Sequence, residues 1–420
     1  MIDIANINNE FHLNNAGISN AIETKDLPRH RWYYYKEGFS PSLVKEAIES
    51  CELSSDSLIV DPFNGSGTVT LTAAENDIPS IGIEVNPFTS FVSKVKSLNA
   101  NPEDLTDLFN LTLEEIEKGK NSRLEDYSTF TERAGKDKWL FNLEVMRAFE
   151  GGFCLLAKRR SNSAKLLRLA LISAIMKNAN AKKDGKCLRY KNNWQTLNFN
   201  KETFLESFNS EFENMRTDIN QKIKVKPRIV TDDSRNGIES IDRGFDLAIT
   251  SPPYLNTFDY TDIYRPELFL GNFISDSKSL YKLRLKTVRS HIQAKWEQPK
   301  INDVESLILK DMYHKINSKK TELMDKNIPL MLLAYFEDMG VVFEKLAKRA
   351  NTNAHLWIVV STSAYANEEI PVDLILADIA TKTNWQLQEI GVLREISKRK
   401  TKYSPDITKL RESLIILTKR

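Results

Sequence analysis

Cysteine and histidine are scarce: the 420 residues hold three of the first and five of the second. Cys51, Cys154 and Cys187 are widely spaced and form no C-x-x-C pair. They support neither a disulfide framework nor a zinc site, so no metal is expected. Long apolar runs are missing too. No stretch approaches a membrane span, and Met1-Ile2-Asp3-Ile4 lacks the basic start and apolar core of a secretion signal. The expected setting is cytoplasmic, with no membrane partner. An excess of one charge is also absent. Lys and Arg number 59 against 57 Asp and Glu, a formal net charge of +2, so bulk electrostatics announce no polyanion ligand. Internal repeats and low-complexity tracts are not apparent. What remains is an ordinary globular composition, 41% apolar, on a chain long enough for a core domain with inserted modules.

The informative residues are concentrated in short stretches. Ser57-Leu58-Ile59-Val60-Asp61 reads as a strand running into Pro62-Phe63-Asn64-Gly65-Ser66-Gly67-Thr68, and Val69 to Glu75 has helix-compatible spacing. Gly65 and Gly67 lack a Cβ, so the loop can turn sharply and a nucleotide cofactor can lie against backbone N–H groups at the helix start. A second strand candidate, Ser80-Ile81-Gly82-Ile83, ends in Glu84. A carboxylate at that tip can accept hydrogen bonds from two ribose hydroxyls. Far downstream, Phe245-Asp246-Leu247-Ala248-Ile249 leads into Thr250-Ser251-Pro252-Pro253-Tyr254. Consecutive prolines fix the backbone and bring no N–H donor, so carbonyl oxygens here can face a substrate NH₂. Ser251 adds an oxygen and Tyr254 a flat ring. Taken alone, Ser-Pro-Pro-Tyr is also what an ordinary turn after a strand looks like.

Occurring in one chain, Asp61-Pro62-Phe63-Asn64-Gly65-Ser66-Gly67-Thr68 and Thr250-Ser251-Pro252-Pro253-Tyr254 resemble the signature motifs of the amino-group DNA methyltransferases. That family uses S-adenosylmethionine to methylate cytosine N4 or adenine N6. A third stretch, His30 to Val44, contains Trp32-Tyr33-Tyr34-Tyr35, an aromatic cluster, and then Phe39-Ser40-Pro41. Ser40 and Pro41 suit the N-cap and first position of a helix. The family has a Phe-Ser-Pro-like segment there, facing the methionine carboxylate. The resemblance therefore implies cofactor binding by Phe39, Ser40, Asp61, Pro62, Phe63, Gly65, Ser66, Gly67, Thr68 and Glu84. Ser251, Pro252, Pro253 and Tyr254 would hold the target amine. Arg228-Ile229-Val230-Thr231-Asp232-Asp233-Ser234-Arg235 resembles the third strand, whose terminal acid contacts the cofactor's adenine. The Asp-Ser-Arg spacing favours Asp233 over Asp232, an Asx turn without ligand being the plain alternative. Cofactor motifs precede the catalytic motif, which is the cofactor-first arrangement.

The partner implied by this resemblance is double-stranded DNA with the target base flipped onto Tyr254. A cognate restriction endonuclease fits the same class. In the family, Ser at the first motif position accompanies cytosine N4 more often, and Asp or Asn adenine N6, so Ser251 favours cytosine N4, with adenine N6 as the alternative. Methylation at cytosine C5 would need a nucleophilic thiolate, typically from a Pro-Cys pair, and no cysteine here follows a proline. An RNA guanine-N2 methyltransferase usually carries Pro-Pro-Tyr after Asp, often with an RNA-binding domain ahead of the core. A non-catalytic cofactor-binding subunit is disfavoured by intact motifs. Basic residues crowd 158–191 against one acid, Asp184, and include Arg159, Arg160, Lys165, Lys182, Lys183 and Lys186; a second tract, 278–300, includes Lys282 and Arg284. Solvated helix faces would explain either tract. Polar and aromatic neighbours such as Tyr190, Asn192, Asn193 and Trp194 point instead to DNA contact.

The expected fold is α/β: a doubly wound, mostly parallel seven-stranded class I methyltransferase sheet with helical insertions. Residues 1–100 would form the first half of the core and 101–225 a helical insertion, the candidate target-recognition region. Residues 226–271 would return to the core with the catalytic motif, 272–328 form a second insertion, and 329–420 complete the core. Expected elements include a helix from Pro87 to Leu98 capped by Asn86, a helix at Leu166–Met176, and another at Leu330–Arg349. A buried strand is expected at His355–Val360. Leu387–Ile396 and Glu412–Thr418 would form a final hairpin-like pair. Ligands would meet at the carboxyl ends of the strands.

Overall fold

The central strands carry short apolar runs buried on both faces, the pattern of a sheet covered by helices on each side. The computed structural model describes residues 6–11, 20–185, 187–299, 304–397 and 402–420. Met1 to Ile4, Lys186 and Lys300, which entered the sequence analysis, lie outside them. The chain begins with a short strand β1 (Ile7–Asn8) and then α1 (Pro41–Ser50), where Ser40 is the N-cap and Pro41 the first helical residue. A βαβα run follows: β2 (Ile59–Asp61), α2 (Thr68–Glu75), β3 (Ser80–Ile83) and α3 (Pro87–Lys96). Next come α4 (Pro102–Lys118), α5 (Leu143–Ala157), α6 (Asn162–Lys177), the hairpin β4 (Ala181–Asp184) with β5 (Cys187–Tyr190), and α7 (Lys201–Asp218). The sheet resumes with β6 (Arg228–Val230), the short α8 (Ser234–Gly237) and β7 (Phe245–Thr250). Helices α9 (Tyr260–Ile263), α10 (Arg265–Leu270), α11 (Ser277–Lys286), α12 (Leu307–Ser318) and α13 (Ile328–Arg349) lead to β8 (Ala350–Ser361). The small hairpin β9 (Ser363–Tyr365) and β10 (Glu368–Ile370), then α14 (Val372–Thr381), β11 (Trp385–Ser397) and β12 (Lys409–Lys419) complete the chain.

The main sheet has eight strands in the order β1-β11-β12-β8-β7-β2-β3-β6. β6, β3, β2, β7 and β8 run parallel, and β12 is antiparallel to both β8 and β11. This is the doubly wound, mostly parallel α/β sheet expected, with one more strand. β1 pairs with Ile390 and Gly391 at the edge, and two residues are too few to show a strand period in sequence. From β2 the chain winds one way through β3 to β6, and from β7 the other way through β8. The switch point, where such sheets place ligands, lies between β2 and β7.

Separate cores cover the two faces. Leu43, Val44, Val69 and Ala73 of α1 and α2 pack with Ile59, Leu247 and Trp357. On the other face α13 and α14 meet Val60, Ala248, Leu356 and Ile358. The helices of 102–218 build a third core with α3 and α10, in which Phe109 stacks on Phe212 at 3.8 Å between centroids. α6 is buried nearly all round, from Ser163 to Ile175, so its apolar run marks an interior helix.

The segment before α1 is held by one buried carboxylate. Asp218, at the end of α7, accepts from Arg29 N (2.8 Å), Trp32 Nε1 (2.9 Å) and both Nε (3.1 Å) and Nη2 (2.6 Å) of Arg31. Arg29 is itself buried and donates to the carbonyls of Lys96, Leu98 and Gln221. Asp218 is 4% exposed, so removing it leaves the Arg31 guanidinium and two N–H donors without this acceptor. Asp218→Ala should lower unfolding free energy by roughly 3 kcal/mol, the scale for breaking a buried ion pair from one side. Urea denaturation followed by circular dichroism checks this, and an unchanged midpoint would show that the segment is held elsewhere.

Candidate functional site

At the carboxyl end of β2 the backbone turns at Gly65 (φ 50°) and Gly67 (φ 88°), a left-handed conformation that favours glycine. Packing adds a second requirement. A Cβ on Gly67 would come within 2.9 Å of the Ser93 Cβ on α3, and one on Gly65 would press at 3.1 Å on the Tyr35 ring. Asn64 fastens the loop beneath: its Nδ2 donates to Ser93 Oγ at 2.7 Å and its Oδ1 accepts from Thr70 Oγ1 at 3.0 Å. Gly67 as N-cap supplies no side-chain acceptor to α2, so the cap consumes none of the first-turn N–H groups.

Glu84, just past β3, ties this loop to the second strand. Its Oε2 accepts from Gly65 N and its Oε1 from Asn86 N, both at 2.8 Å. Burial pushes its carboxyl up to about 7, against hydrogen bonds from Asn86, Thr89 and Gly65 that lower it. Each carboxylate oxygen has two lone pairs, so both can still accept from a diol. The glycine cradle, the uncapped start of α2 and this carboxylate fit a nucleoside cofactor.

Asp61 and Thr250 bring the second motif to the same place. Thr250 Oγ1 donates to Asp61 Oδ1 at 2.7 Å, and Phe63 N donates to the same oxygen at 2.9 Å. β2 and β7 are parallel neighbours, with Ile59 opposite Leu247 and Val60 opposite Ala248, so this hydrogen bond joins their tips. Burial pushes the Asp61 carboxyl up to about 7, opposed by the Thr250 and Phe63 hydrogen bonds. Beyond Thr250, Pro252 is buried while Ser251, Pro253 and Tyr254 are half-buried. The Tyr254 hydroxyl donates to Glu412 Oε1 at 2.8 Å, and Arg394 Nε donates to the other Glu412 oxygen at 2.7 Å. The Leu255 carbonyl accepts from the Tyr365 hydroxyl at 2.9 Å, and Thr257 N donates to Ser290 O at 3.1 Å. The Ser-Pro-Pro-Tyr loop is thus fastened from β12, from β9 and from the segment after α11.

Residues 33–40 cross the glycine loop as a strap. Tyr35 stacks on Tyr264, 5.2 Å between centroids and 25° between planes, and the Tyr264 hydroxyl donates to Glu37. Lys183 of the β4–β5 hairpin sits 3.6 Å from the Tyr264 ring centroid; its ammonium donates to Glu267 Oε1 (2.5 Å) and the Tyr33 hydroxyl (2.8 Å).

Asp61, Pro62, Phe63, Gly65, Ser66, Gly67, Thr68 and Glu84 therefore lie with Ser251, Pro252, Pro253 and Tyr254 at the carboxyl ends of β2, β3 and β7. Other expected site residues have different neighbours. Asp233 caps α8, and both its oxygens are taken by the Arg235 guanidinium at 2.7 to 3.0 Å, so it does not offer adenine a free acceptor. Asp232 accepts from Asp233 N with only one oxygen, Oδ1, at 2.8 Å. Phe39 is buried in the core with α1 and α2 and packs the strap down. Ser40 Oγ accepts from Leu43 N at 3.4 Å, and the Glu23 carboxylate accepts from Ser42 N at 2.8 Å. The helix start expected to face the methionine carboxylate thus already holds an anion.

The expected DNA contacts also divide. Lys183 is committed to Glu267, and Arg284 forms a 2.5 Å ion pair with buried Asp259, so neither has free charge for a phosphate. Arg159, Arg160, Lys182 and Lys282 are exposed, and Lys165 is half-buried. Among the described residues no group of His, Cys, Asp and Glu could hold a metal ion, and no helix is long and apolar enough to cross a membrane.

Tyr35, Glu412 and the Asp61–Thr250 bond are not evident in the sequence. The aromatic run 32–35 shows a cluster but not that Tyr35 lies on Gly65. Glu412 carried a usable signal, a carboxylate just ahead of the apolar run Leu414-Ile415-Ile416-Leu417 in a strand.

Comparison with known proteins finds no matching family model. Type II methyltransferase M.BsoBI of Geobacillus stearothermophilus is 28% identical over 421 residues, covering 88% of this chain and 81% of that protein. Type II methyltransferase M.AvaI of Nostoc sp. is 26% identical with the same coverage. Type II methyltransferase M.MvaI of Kocuria varians is 22% identical over 86% of this chain and 82% of that one. Among solved structures, TrmN from Thermus thermophilus aligns at a TM-score of 0.30 and 7% identity over 94% of this chain and 53% of its own, a likeness too loose to bear on the fold.

The buried carboxyls give the structure a pH dependence of definite sign. Asp61 is raised from 3.8 to about 7, so between those values the folded protein keeps a proton that the unfolded chain has released. Its contribution to stability therefore falls as pH rises across that window and is flat above it. Asp61→Asn stays neutral and can still accept from Thr250. From pH 5 to pH 8 the wild type should lose more unfolding free energy than Asp61→Asn, on the order of 1.4 kcal/mol for each pH unit of that window crossed. Urea titrations at both pH values measure the difference; equal losses would mean that Asp61 is charged in the folded protein.

Proposed function

We propose that this chain, a relative of the Type II methyltransferases and a member of the S-adenosylmethionine-dependent DNA methyltransferase family, methylates the exocyclic N4 of cytosine at a specific DNA sequence. The observation that carries the proposal is the Asp61–Thr250 hydrogen bond, which sets the cofactor-type loop and the amine-type loop on adjacent parallel strands. Cofactor binding falls to the Gly65–Thr68 turn, to Glu84 for the ribose, and to Asp61, Pro62 and Phe63 around the turn. S-adenosylmethionine, when bound, supplies an electrophilic methyl group.

The chain's own residues have to solve a nucleophile problem. The lone pair of a cytosine or adenine amine is delocalised into the ring, so orientation and desolvation are most of the task. Ser251 Oγ and the Pro252 carbonyl accept from the two amine protons, which draws the nitrogen toward a tetrahedral shape and stabilises the positive charge it develops. Tyr254 receives the flipped base on its ring face. In the family, Ser at this position accompanies cytosine N4 more often, and Asp or Asn adenine N6, so Ser251 favours cytosine; adenine N6 is the alternative.

DNA approaches over the exposed Arg159, Arg160, Lys182 and Lys282. The insertion also bears a hollow of about 530 Å³ whose lining includes Trp139, Trp194, Gln195 and Asn198. Amide side chains of this kind can pair with base edges, which supports residues 101–225 as the target-recognition region. A restriction endonuclease reading the same sequence is the expected partner in the host.

Nucleoside digestion tests the reading. DNA of mixed sequence, incubated with the protein and S-adenosylmethionine and then hydrolysed, should yield N4-methylcytosine. N6-methyladenine would move the assignment to adenine, and absence of both would overturn it. Tyr254→Ala should slow transfer about 10- to 100-fold, the worth of a base–aromatic stack, while the calorimetric affinity for S-adenosylmethionine is unchanged; undiminished turnover would remove Tyr254 from the site.

A further inference from the structure

We infer that Glu412, held by Arg394, is a positioning residue that fixes the Tyr254 ring through its hydroxyl. This rests on the proposed methyltransferase reading. Glu412 is 2% exposed, on β12 at a position opposite Arg394 of β11 on one side and Ser361 of β8 on the other. A carboxylate so placed in a strand packs nothing and has to be satisfied by specific partners. The structure supplies them: Tyr254 on Oε1 at 2.8 Å and Arg394 on Oε2 at 2.7 Å. The three groups form a line from β11 to the amine-binding loop.

Glu412 is the acceptor that the structure gives the Tyr254 hydroxyl, and Arg394 holds the other Glu412 oxygen in place. A carboxylate accepts a hydrogen bond more strongly than a neutral group. The ring is therefore held at two points, its backbone and its hydroxyl. Without Glu412 the hydroxyl loses this partner and the ring is free to turn about its side-chain bonds, which rotates the stacking face away from the base.

The test is a double-mutant cycle read by methyl transfer to DNA, by calorimetric S-adenosylmethionine affinity, and by fluorine NMR of protein carrying 3-fluorotyrosine. The Tyr254 resonance is assigned by its loss in Tyr254→Phe. Glu412→Leu should lower kcat about tenfold or more, the size expected for a lost hydrogen bond to a charged group. Its cofactor affinity should stay within about twofold, and the Tyr254 resonance should shift or broaden. Glu412→Gln, which still accepts, should restore most of kcat. In the Tyr254→Phe background Glu412→Leu should have little further effect, because the hydroxyl it acts through is gone. Equal losses in both backgrounds, or a parallel fall in cofactor affinity, would make Glu412 a merely structural residue and overturn the inference. A wild type that transfers no methyl group, with the resonance still moving in Glu412→Leu, would defeat the methyltransferase reading and leave the tether standing.

Discussion

A buried hydrogen bond from Thr250 to Asp61 is the constraint on which the site depends. The two residues stand 189 positions apart in sequence, yet each ends its strand, and the strands are parallel neighbours at the point where the sheet reverses direction. Parallel strands cannot be joined by a short turn, so everything between them has to leave the sheet and return. Here the excursion carries two further strands, β3 and β6, and the whole helical insertion. The bond at the tips fixes where the excursion begins relative to where it ends, and so fixes the glycine loop relative to Ser-Pro-Pro-Tyr.

Around that bond the protein concentrates features that work against its own stability. Asp61 and Glu84 are carboxyls in surroundings that push both up to about 7, Gly65 and Gly67 adopt left-handed conformations, and Tyr254 hangs from a carboxylate set into a strand. Such costs cluster where geometry matters more than packing. They are offset at a distance: by apolar layers on both faces of the sheet, and by polar anchors such as Asp218 under the strap. Asp338 of α13, 2% exposed, accepts from both Arg235 and Arg289 and secures the segment after α11. The helical insertion shares its core with α3 and α10, so it is mechanically continuous with the helix that packs against the glycine loop through Ser93.

Local pattern made much of this legible in the sequence. The glycine spacing, the Ser40-Pro41 cap, the Asn86 cap and the apolar runs of β7 and β8 each dictate their own structure within a few residues. Features that depend on which side chains pair were not legible. Asp233 reads as a strand-end acid, but Arg235 two residues on closes over it and turns it into a cap and ion-pair partner. Lys183 and Arg284 read as part of basic tracts, yet Glu267 and Asp259 neutralise them from α10 and the start of α9. The β4–β5 hairpin was hidden within a helical stretch, because Lys182, Lys183 and Asp184 show no apolar alternation. The eighth strand is shorter than any period that could reveal it.

If the two motifs form one site, a change in the amine motif that spares its chemistry should be felt by the cofactor loop. Thr250→Val keeps the shape of the side chain and removes only the hydroxyl that Asp61 accepts from. Titration of S-adenosylhomocysteine into this variant is the direct measurement. Leaving a buried acceptor short of its partner costs on the order of 1–3 kcal/mol, so this disturbance of Asp61 should weaken cofactor affinity by about tenfold. Wild-type affinity in Thr250→Val would contradict it, showing that the loop on β2 holds its ligand independently of the loop on β7.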